Sequence, residues 1–406
     1  MSNALPDKHV VLRYPPGAGA GASEVLDVEE TYQLLELPPE ILKQVEALDG
    51  AEPFPLTIKG RPSDDATICT PNATFQLRTI GISNSLLVCR SAAEDPDVFL
   101  RRDVGEEAKE TLHISDICHQ VFECVPIAPN LERIRAVLRP SAWEGMDSSL
   151  GKRKRDEKNG KVVKRWTKEQ LKSVVQASDR ELEDGLRERN VVEVDGKLLL
   201  LPAANLKDLL VLLISLLHIN SKGSDTTAPT KTLIQTLEKE YDILPSLSSP
   251  FLGLFGHVEG EMWRGDMKKI VKEVGMGILT RIGRNKKQDE FVDEWKKEVG
   301  DSWEDLVDIK LLEGEYLANP PPASALAFGT RCPLLTYFPI SSLPLQPAPR
   351  FSELFLTRTR WRPDEMTPFL KGLTRDGDKK ERDKLVVKFV RVVKERDGVW
   401  WYPRRA

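Results

Sequence analysis

Cysteine, long apolar runs and nucleotide-binding glycine motifs are all scarce in this chain of 406 residues, and each shortage excludes something. The five cysteines, Cys69, Cys89, Cys118, Cys124 and Cys332, form no CxxC pair and no spacing of a secreted scaffold. An odd, scattered set reads as reduced intracellular thiols. The most apolar stretch, Leu198–Leu217, is interrupted by Pro202, Asn205, Lys207 and Asp208. Its unbroken runs fall far short of the roughly 20 residues that a membrane span needs. Met1 to Val10 is polar and charged, so no signal peptide is expected there. No Walker A sequence is present. Gly17, Gly19 and Gly21 have the wrong spacing for a phosphate-cradling turn, and Glu24, Asp27, Glu29 and Glu30 would repel a phosphate, so a flexible loop is the better account.

Catalytic and metal chemistry find no support in the residues. His113, Cys118, His119 and Cys124 lie close together, but on a strand Cys118 and His119 point to opposite faces. Without CxxC or HxxxH spacing they read as strand residues rather than zinc ligands. Asp64 with Asp65, and Asp95 with Asp97, sit in polar loops with no nucleophile–base pairing. The expectation is a non-enzyme without cofactor or metal.

The net charge of −4 conceals an asymmetry. Residues 1–150 hold 24 acidic against 13 basic side chains, whereas residues 351–406 hold 15 basic against 9 acidic. Different partners at the two ends follow, with nucleic acid the candidate at the basic end.

The predicted fold class is α+β and multi-domain. Residues 1–146 read as short strands, Val10–Tyr14, Tyr32–Leu37, Phe54–Lys59, Ala66–Thr70, Thr74–Ile80, Ser85–Arg90 and Ile117–Ile127, punctuated by Gly, Pro, Asn and Asp. One short helix starts at Pro38-Pro39, with Ile41, Val45 and Leu48 on one face, and another carries Leu131, Ile134 and Leu138. An antiparallel β-barrel-like half with so few residues per strand leaves open edges for other chains to complete. Residues 147–163 read as a basic flexible linker. Within it, Lys152, Arg153, Lys154 and Arg155 read either as a nuclear-import signal or as a solvated cluster that keeps the linker extended.

From Arg165 the periodicity becomes helical. Thr167 with Gln170, and Ser178 with Glu181, are capping-box pairs opening two helices. The apolar runs on either side of Asp195-Gly196 predict a hairpin. Helix, helix, hairpin is the order of a winged-helix unit. Comparable units are predicted over 164–222, 226–285 and 286–345, with a C-terminal winged helix over 350–406. In that last unit Ser352–Leu356, Pro363–Leu373 and Lys379–Glu395 read as helices and Val399–Tyr402 as a strand. Along the third helix, Leu385, Val386, Phe389, Val390 and Val393 form an apolar face, and Lys380, Lys384, Lys388 and Arg391 a basic stripe with Lys394 beside it. Arg404 and Arg405 extend an aromatic–basic strand. The stripe reads as a phosphate-contacting surface for DNA or as the soluble side of a core helix.

Several blocks together resemble one family. Tyr32–Leu37, Pro55–Gly60, Ala66–Cys69, Thr74–Arg78, Ser83–Val88, Trp166–Leu171, Arg350–Phe355 and Arg360–Phe369 look like the Defective in sister chromatid cohesion family, a subunit of an alternative replication factor C-like clamp loader. The Gly-rich loop near Gly17 and the insert Pro320–Gly329 depart from it. The resemblance implies a β module interlocked with a small companion subunit and the C-terminal tail of the large clamp-loader subunit. It further implies docking on the catalytic subunit of DNA polymerase epsilon, winged helices that bind single- and double-stranded DNA, and a nuclear role in loading or unloading the clamp PCNA. The competing readings are a tandem winged-helix transcription regulator and a protein-binding scaffold.

Overall fold

The computed structural model describes residues 10–13, 32–47, 54–91, 110–146, 164–220, 226–283, 285–321, 332–375 and 377–404. The linker with Lys152, Arg153, Lys154 and Arg155, the Gly17 loop and Arg405 therefore lie outside the described residues. The chain is mixed α+β and divides into two units, Met1–Thr70 with Phe75–Pro126, and Pro71–Thr74 with Ile127–Ala406.

The first unit is a curled sheet. Its strands are β1 (Val10–Arg13), β2 (Leu34–Glu36), β3 (Thr57–Lys59), β4 (Thr67–Cys69), β5 (Thr74–Ser91) and β6 (Glu110–Pro126), with helix α1 (Pro39–Glu46) after β2. Their order is β1-β6-β5-β4-β3, with β2 also on β6. Two expectations are corrected here. The separate strands Thr74–Ile80 and Ser85–Arg90 are one strand of 18 residues, and β6 begins at Glu110 rather than Ile117. Between Gly81↔Gln120 and Leu86↔Cys118, four residues of β5 lie opposite His119 alone, so the Gly-Asn punctuation marks a bulge rather than a turn. The sheet is also not wholly antiparallel. β1 pairs parallel with β6 at Glu110–His113 and β2 parallel at Val121–Glu123. Strands so far apart in sequence are joined by crossovers long enough to permit that direction.

The second unit is mainly helical. Its first part holds α2 (Glu132–Leu138), α3 (Lys168–Val174), α4 (Asp179–Glu188) and the hairpin β7 (Val191–Val194) with β8 (Lys197–Leu200). Both capping boxes form: Thr167 accepts from the Gln170 amide and Ser178 from the Glu181 amide, with each N3 side chain reaching back. Asp195 and Gly196 take φ of 50° and 72°, the signs that a tight two-residue hairpin requires. Ile134, Leu138, Leu171, Leu182 and Leu198 close the core of this part.

Next come α5 (Ala203–Asn220), strand β9 (Thr227–Pro229), α6 (Thr230–Tyr241), α7 (Pro245–Phe255), the hairpin β10 (Gly256–Glu259) with β11 (Met262–Gly265), and α8 (Met267–Thr280). After β12 (Lys286–Lys287) and α9 (Gln288–Val299), strands β13 (Tyr316–Asn319) and β14 (Leu334–Tyr337) complete a small sheet. The sequence reading missed α7, whose Pro250 lies inside the helix. Helix α5 is long and apolar enough to cross a membrane, but here it packs on α8 with Leu209, Leu210, Leu213 and Leu217 buried. Close approach needs small residues on α8. A Cβ on Gly275 would lie 2.5 Å from the Trp295 ring, and one on Gly277 would lie 2.3 Å from Lys207 Cβ.

A last core forms around α10 (Pro347–Thr357), α11 (Pro363–Met366) and the 3-10 turn Thr367–Leu370, where a helix running to Leu373 was expected. Trp263, Trp295 and Trp361 are fully buried. Their indoles donate to the carbonyls of Leu252, Val271 and Leu354 at 2.8, 2.9 and 3.0 Å, so each large ring is buried without an orphaned N–H. Carboxylates also enter this unit. Glu273 is buried and accepts from Asn190 Nδ2 at 2.7 Å, and burial raises its pKa. Burial pushes the Glu315 carboxyl up to about 7.

Candidate nucleic-acid and partner surfaces

The basic end is built differently from the helix anticipated over Lys379–Glu395. Helix α12 covers Lys379–Phe389, capped by Asp378, whose carboxylate accepts from the Glu381 amide at 3.0 Å. The chain then turns into strand β15 (Val390–Glu395), paired antiparallel with β16 (Gly398–Pro403). The Val390, Val392 and Val393 cluster favours a pleated surface, where β-branched side chains keep their preferred rotamers. Arg396-Asp397 makes the two-residue hairpin corner, and Gly398, at φ 134°, opens β16 opposite Glu395. An Asp-Gly pair also marks β7 and β8, where it forms the loop itself; here the pair straddles the corner and the strand, and the hairpin was overlooked.

The predicted DNA-binding residues therefore separate. Lys380, Lys384 and Lys388 stay together as an exposed row on α12. Arg391 and Lys394 move to β15, where an odd spacing places them on opposite faces. Arg391 lies 5.7 Å from the Tyr402 ring beside its cross-strand partner. Arg404 is committed to structure, its side chain donating to the Val387 carbonyl and its amide to that of Phe389.

Two cations that the sequence reading did not single out join this hairpin. Trp361 exchanges backbone hydrogen bonds with Trp401 at 3.0 and 2.8 Å, which brings the preceding and following arginines alongside β16. Arg360 and Arg362 lie 4.2 and 4.8 Å from the Trp400 ring, and Arg360 pairs with Glu395 at 2.9 Å. The Trp400 indole donates to Asp397 at 2.9 Å and holds that carboxyl below its ordinary pKa. The alternation Arg360-Trp361-Arg362 was the available signal. The result is a cationic row on a helix and, in the hairpin that follows it, an arginine–indole platform, chemistries that suit phosphates and flat rings.

The other candidate surface is the distal part of the β5–β6 ribbon. Among the described residues, β5 beyond Gly81 pairs with β6 alone, and Leu86, Leu87 and Ile117 are 42%, 39% and 38% exposed. Leu86 and Leu87 are consecutive, so both faces of the ribbon carry apolar area. On β6, the stretch from Ile114 to Gln120 lies between the segments paired with β1 and β2. Cys118 and Cys124 are buried, whereas His119 is exposed and 3.5 Å from Ser85 Oγ. Among the described residues, no three His, Cys, Asp or Glu side chains gather as a metal cluster.

These surfaces define a mixed α+β protein with an edge-exposing β unit and a helical unit that ends in a cationic helix and hairpin. The chain belongs to the Sister chromatid cohesion protein Dcc1 family, whose profile matches residues 32–370. It is similar to Sister chromatid cohesion protein DCC1 of Homo sapiens, 25% identical over 389 residues that cover 95% of this chain and 90% of the relative. The Xenopus laevis protein of the same name is 24% identical over 365 residues, 89% of this chain and 86% of its own. The Probable sister chromatid cohesion protein DCC1 of Dictyostelium discoideum is 24% identical over 373 residues, covering 86% and 88%. The profile match stops before α12, so the cationic helix and hairpin lie beyond it.

Proposed function

We propose that this chain is a non-catalytic nuclear subunit of an alternative, replication factor C-like clamp loader, acting in sister chromatid cohesion. In this reading its β unit is completed by a small companion subunit and the C-terminal tail of the large subunit. The complex loads or unloads PCNA at forks and docks on the catalytic subunit of DNA polymerase epsilon. The observation that carries the reading is the β5–β6 ribbon, which has apolar side chains on both faces and, among the described residues, an open backbone edge on β5 beyond Gly81. An open edge invites another strand. Co-expression of the full chain with the two proposed partners is expected to give a stoichiometric complex. Leu87→Ser with Ile117→Ser, a cross-strand pair on one face, should reduce capture by about tenfold or more, as loss of two buried apolar side chains implies. A full-length chain that stays monodisperse alone and ignores both partners would exclude the reading.

DNA contact through winged-helix units is the second part of the proposal. It is supported by the helix–helix–hairpin order of α3, α4, β7 and β8 and by the exposed row Lys380, Lys384, Lys388. Reversing those three lysines to Glu should weaken binding on every DNA sequence. It should also flatten the slope of log affinity against log salt by up to about three, one for each phosphate no longer neutralised. Unchanged affinity in a normally folded triple variant would assign DNA contact to another surface.

A further inference from the structure

The C-terminal hairpin of β15 and β16 has one covered edge and one open edge. Trp401 exchanges both its backbone hydrogen bonds with Trp361, so it turns its N–H and C=O away from Val392, the residue opposite it on β15. In an antiparallel ladder both members of such a pair face outward, and Val392 therefore turns its own N–H and C=O to the far side of β15. Lys394, two residues on and opposite Val399, follows the same alternation. Among the described residues no strand lies beyond β15, and these backbone groups have no partner there. Val392 is also 55% exposed. Around this edge the unpaired charge is of one sign. Arg391, Lys394 and Arg396 are exposed and form no ion pair among the described residues. The hairpin's two carboxylates are already engaged. Glu395 pairs with Arg360 at 2.9 Å and accepts from the Tyr402 hydroxyl, and Asp397 accepts from the Trp400 indole at 2.9 Å. Cationic side chains are a common guard of an open edge. They bar a second copy of this chain, which would bring the same charge against them, but not an acidic strand.

We propose that β15 is an addition site for an extended acidic peptide of a partner chain, which lengthens this sheet by one strand. In such addition the main-chain hydrogen bonds supply affinity and the alternating side chains supply specificity. Residues directly opposite one another share a face of the sheet, so the neighbours of Lys394, Val393, Val392 and Arg391 set the peptide's sequence. Opposite the two cations stand acids, and opposite the two valines stand aliphatic side chains. The motif acid–aliphatic–aliphatic–acid reads the same in either strand direction, so parallel and antiparallel addition select the same peptide. DNA matches this edge less well. Its phosphates accept hydrogen bonds but donate none, so they answer the outward N–H groups and leave the outward carbonyls unmet. A phosphate backbone also gives Val392 no apolar neighbour. The inference rests on the hairpin geometry and is independent of the clamp-loader reading and of DNA contact by the lysine row.

The test uses the full-length chain and fluorescence anisotropy with a labelled peptide that carries Glu-Val-Val-Glu between Gly-Ser flanks. Its counterpart with Lys-Val-Val-Lys serves as the charge control. Two further versions of the Glu peptide carry backbone N-methyl groups on alternate residues, one in each phase. A strand turns only every second N–H toward its neighbour. One methylated phase should therefore bind about tenfold or more weakly, the effect of losing backbone hydrogen bonds, and the other should bind as the parent peptide does. Arg391→Glu with Lys394→Glu should reverse the charge preference, so that the Lys peptide binds more tightly than the Glu peptide. Absence of binding by the Glu peptide overturns the proposal. A charge-reversed chain of unchanged thermal midpoint that still prefers the Glu peptide also overturns it. Equal affinity of the two methylated phases overturns it as well, and makes β15 a general polyanion surface, DNA included.

Discussion

Trp263, Trp295 and Trp361 are fully enclosed in the second unit, each with its indole N–H bonded, while Leu86, Leu87 and Ile117 of the first unit remain about two-fifths exposed. The same contrast runs through the packing. Among the described residues, the three hydrophobic cores draw every member from the second unit. Buried apolar residues of the first unit, such as Ile41, Ile68 and Phe75, stand outside all three. A helix hides its apolar stripe against a neighbour in the same chain. A long ribbon with apolar side chains on both faces has two surfaces to cover. The second unit thus covers its own apolar surface, whereas the described part of the ribbon leaves Leu86, Leu87 and Ile117 partly exposed.

The comparison breaks most visibly if the second unit is not the stable one. Trp295→Ala empties a fully buried site beside Phe291 and the close-packed Gly275, and should cost about 3–5 kcal/mol in denaturant unfolding of the full chain. A cost under about 1 kcal/mol would mean that the large core is looser than its geometry indicates.

A smaller effect sharpens the account of that core. The Glu315 carboxyl is lifted by burial from 4.5 to about 7. The folded state then holds a proton that the unfolded chain has released between those values. The group's contribution is fully present below pH 4.5, is lost as pH rises to about 7, and stays lost above. Glu315→Gln should remove that pH dependence. At pH 8 it should stabilise the chain by at most about 3 kcal/mol, and by less to the extent that water reaches the partly exposed carboxyl. Parallel stability–pH curves for parent and variant would show that Glu315 does not titrate in this window.

The smallest expected effect lies in the ribbon. Leu87→Ser with Ile117→Ser should change the unfolding free energy of the chain alone by no more than about 0.5 kcal/mol per site, because both side chains are already about two-fifths exposed. Measured beside the capture assay, this pairing of near-neutral stability with lost assembly distinguishes an interface from a core. A large destabilisation of the free chain would place the ribbon in a core of its own.

Much of the second unit was legible because its signals are local. The capping boxes at Thr167 and Ser178 and the Asp195-Gly196 turn each need only four or five consecutive residues, and each formed as read. Helix α7 was missed because Pro245, Ser248, Ser249 and Pro250 look like loop punctuation. A proline at the first helical position costs nothing, and burial of Phe251, Leu252 and Phe255 outweighs the second one. The ribbon was read as two strands because a Gly-Asn stretch signals a turn equally well as a bulge, and only the register with β6 distinguishes them. At the candidate nucleic-acid surface, Lys380, Lys384 and Lys388 kept the helical spacing assigned to them. Arg360 and Arg362 went unnoticed because their neighbour Trp400 is distant in sequence.

The sequence by itself determined the capped helix starts at Thr167 and Ser178, the Asp195-Gly196 corner and the concentration of positive charge at one end, since each depends on residues close together in the chain. Tertiary structure decided what Val390–Glu395 would be. Its valines satisfy a helical face and a pleated strand alike, so local periodicity does not choose between them. Pairing with Gly398–Pro403, itself held by the Trp361–Trp401 backbone bonds, makes the strand and turns Arg391 and Lys394 to opposite faces. Cross-strand hydrogen bonds come from residues remote in sequence, and only the folded chain supplies them.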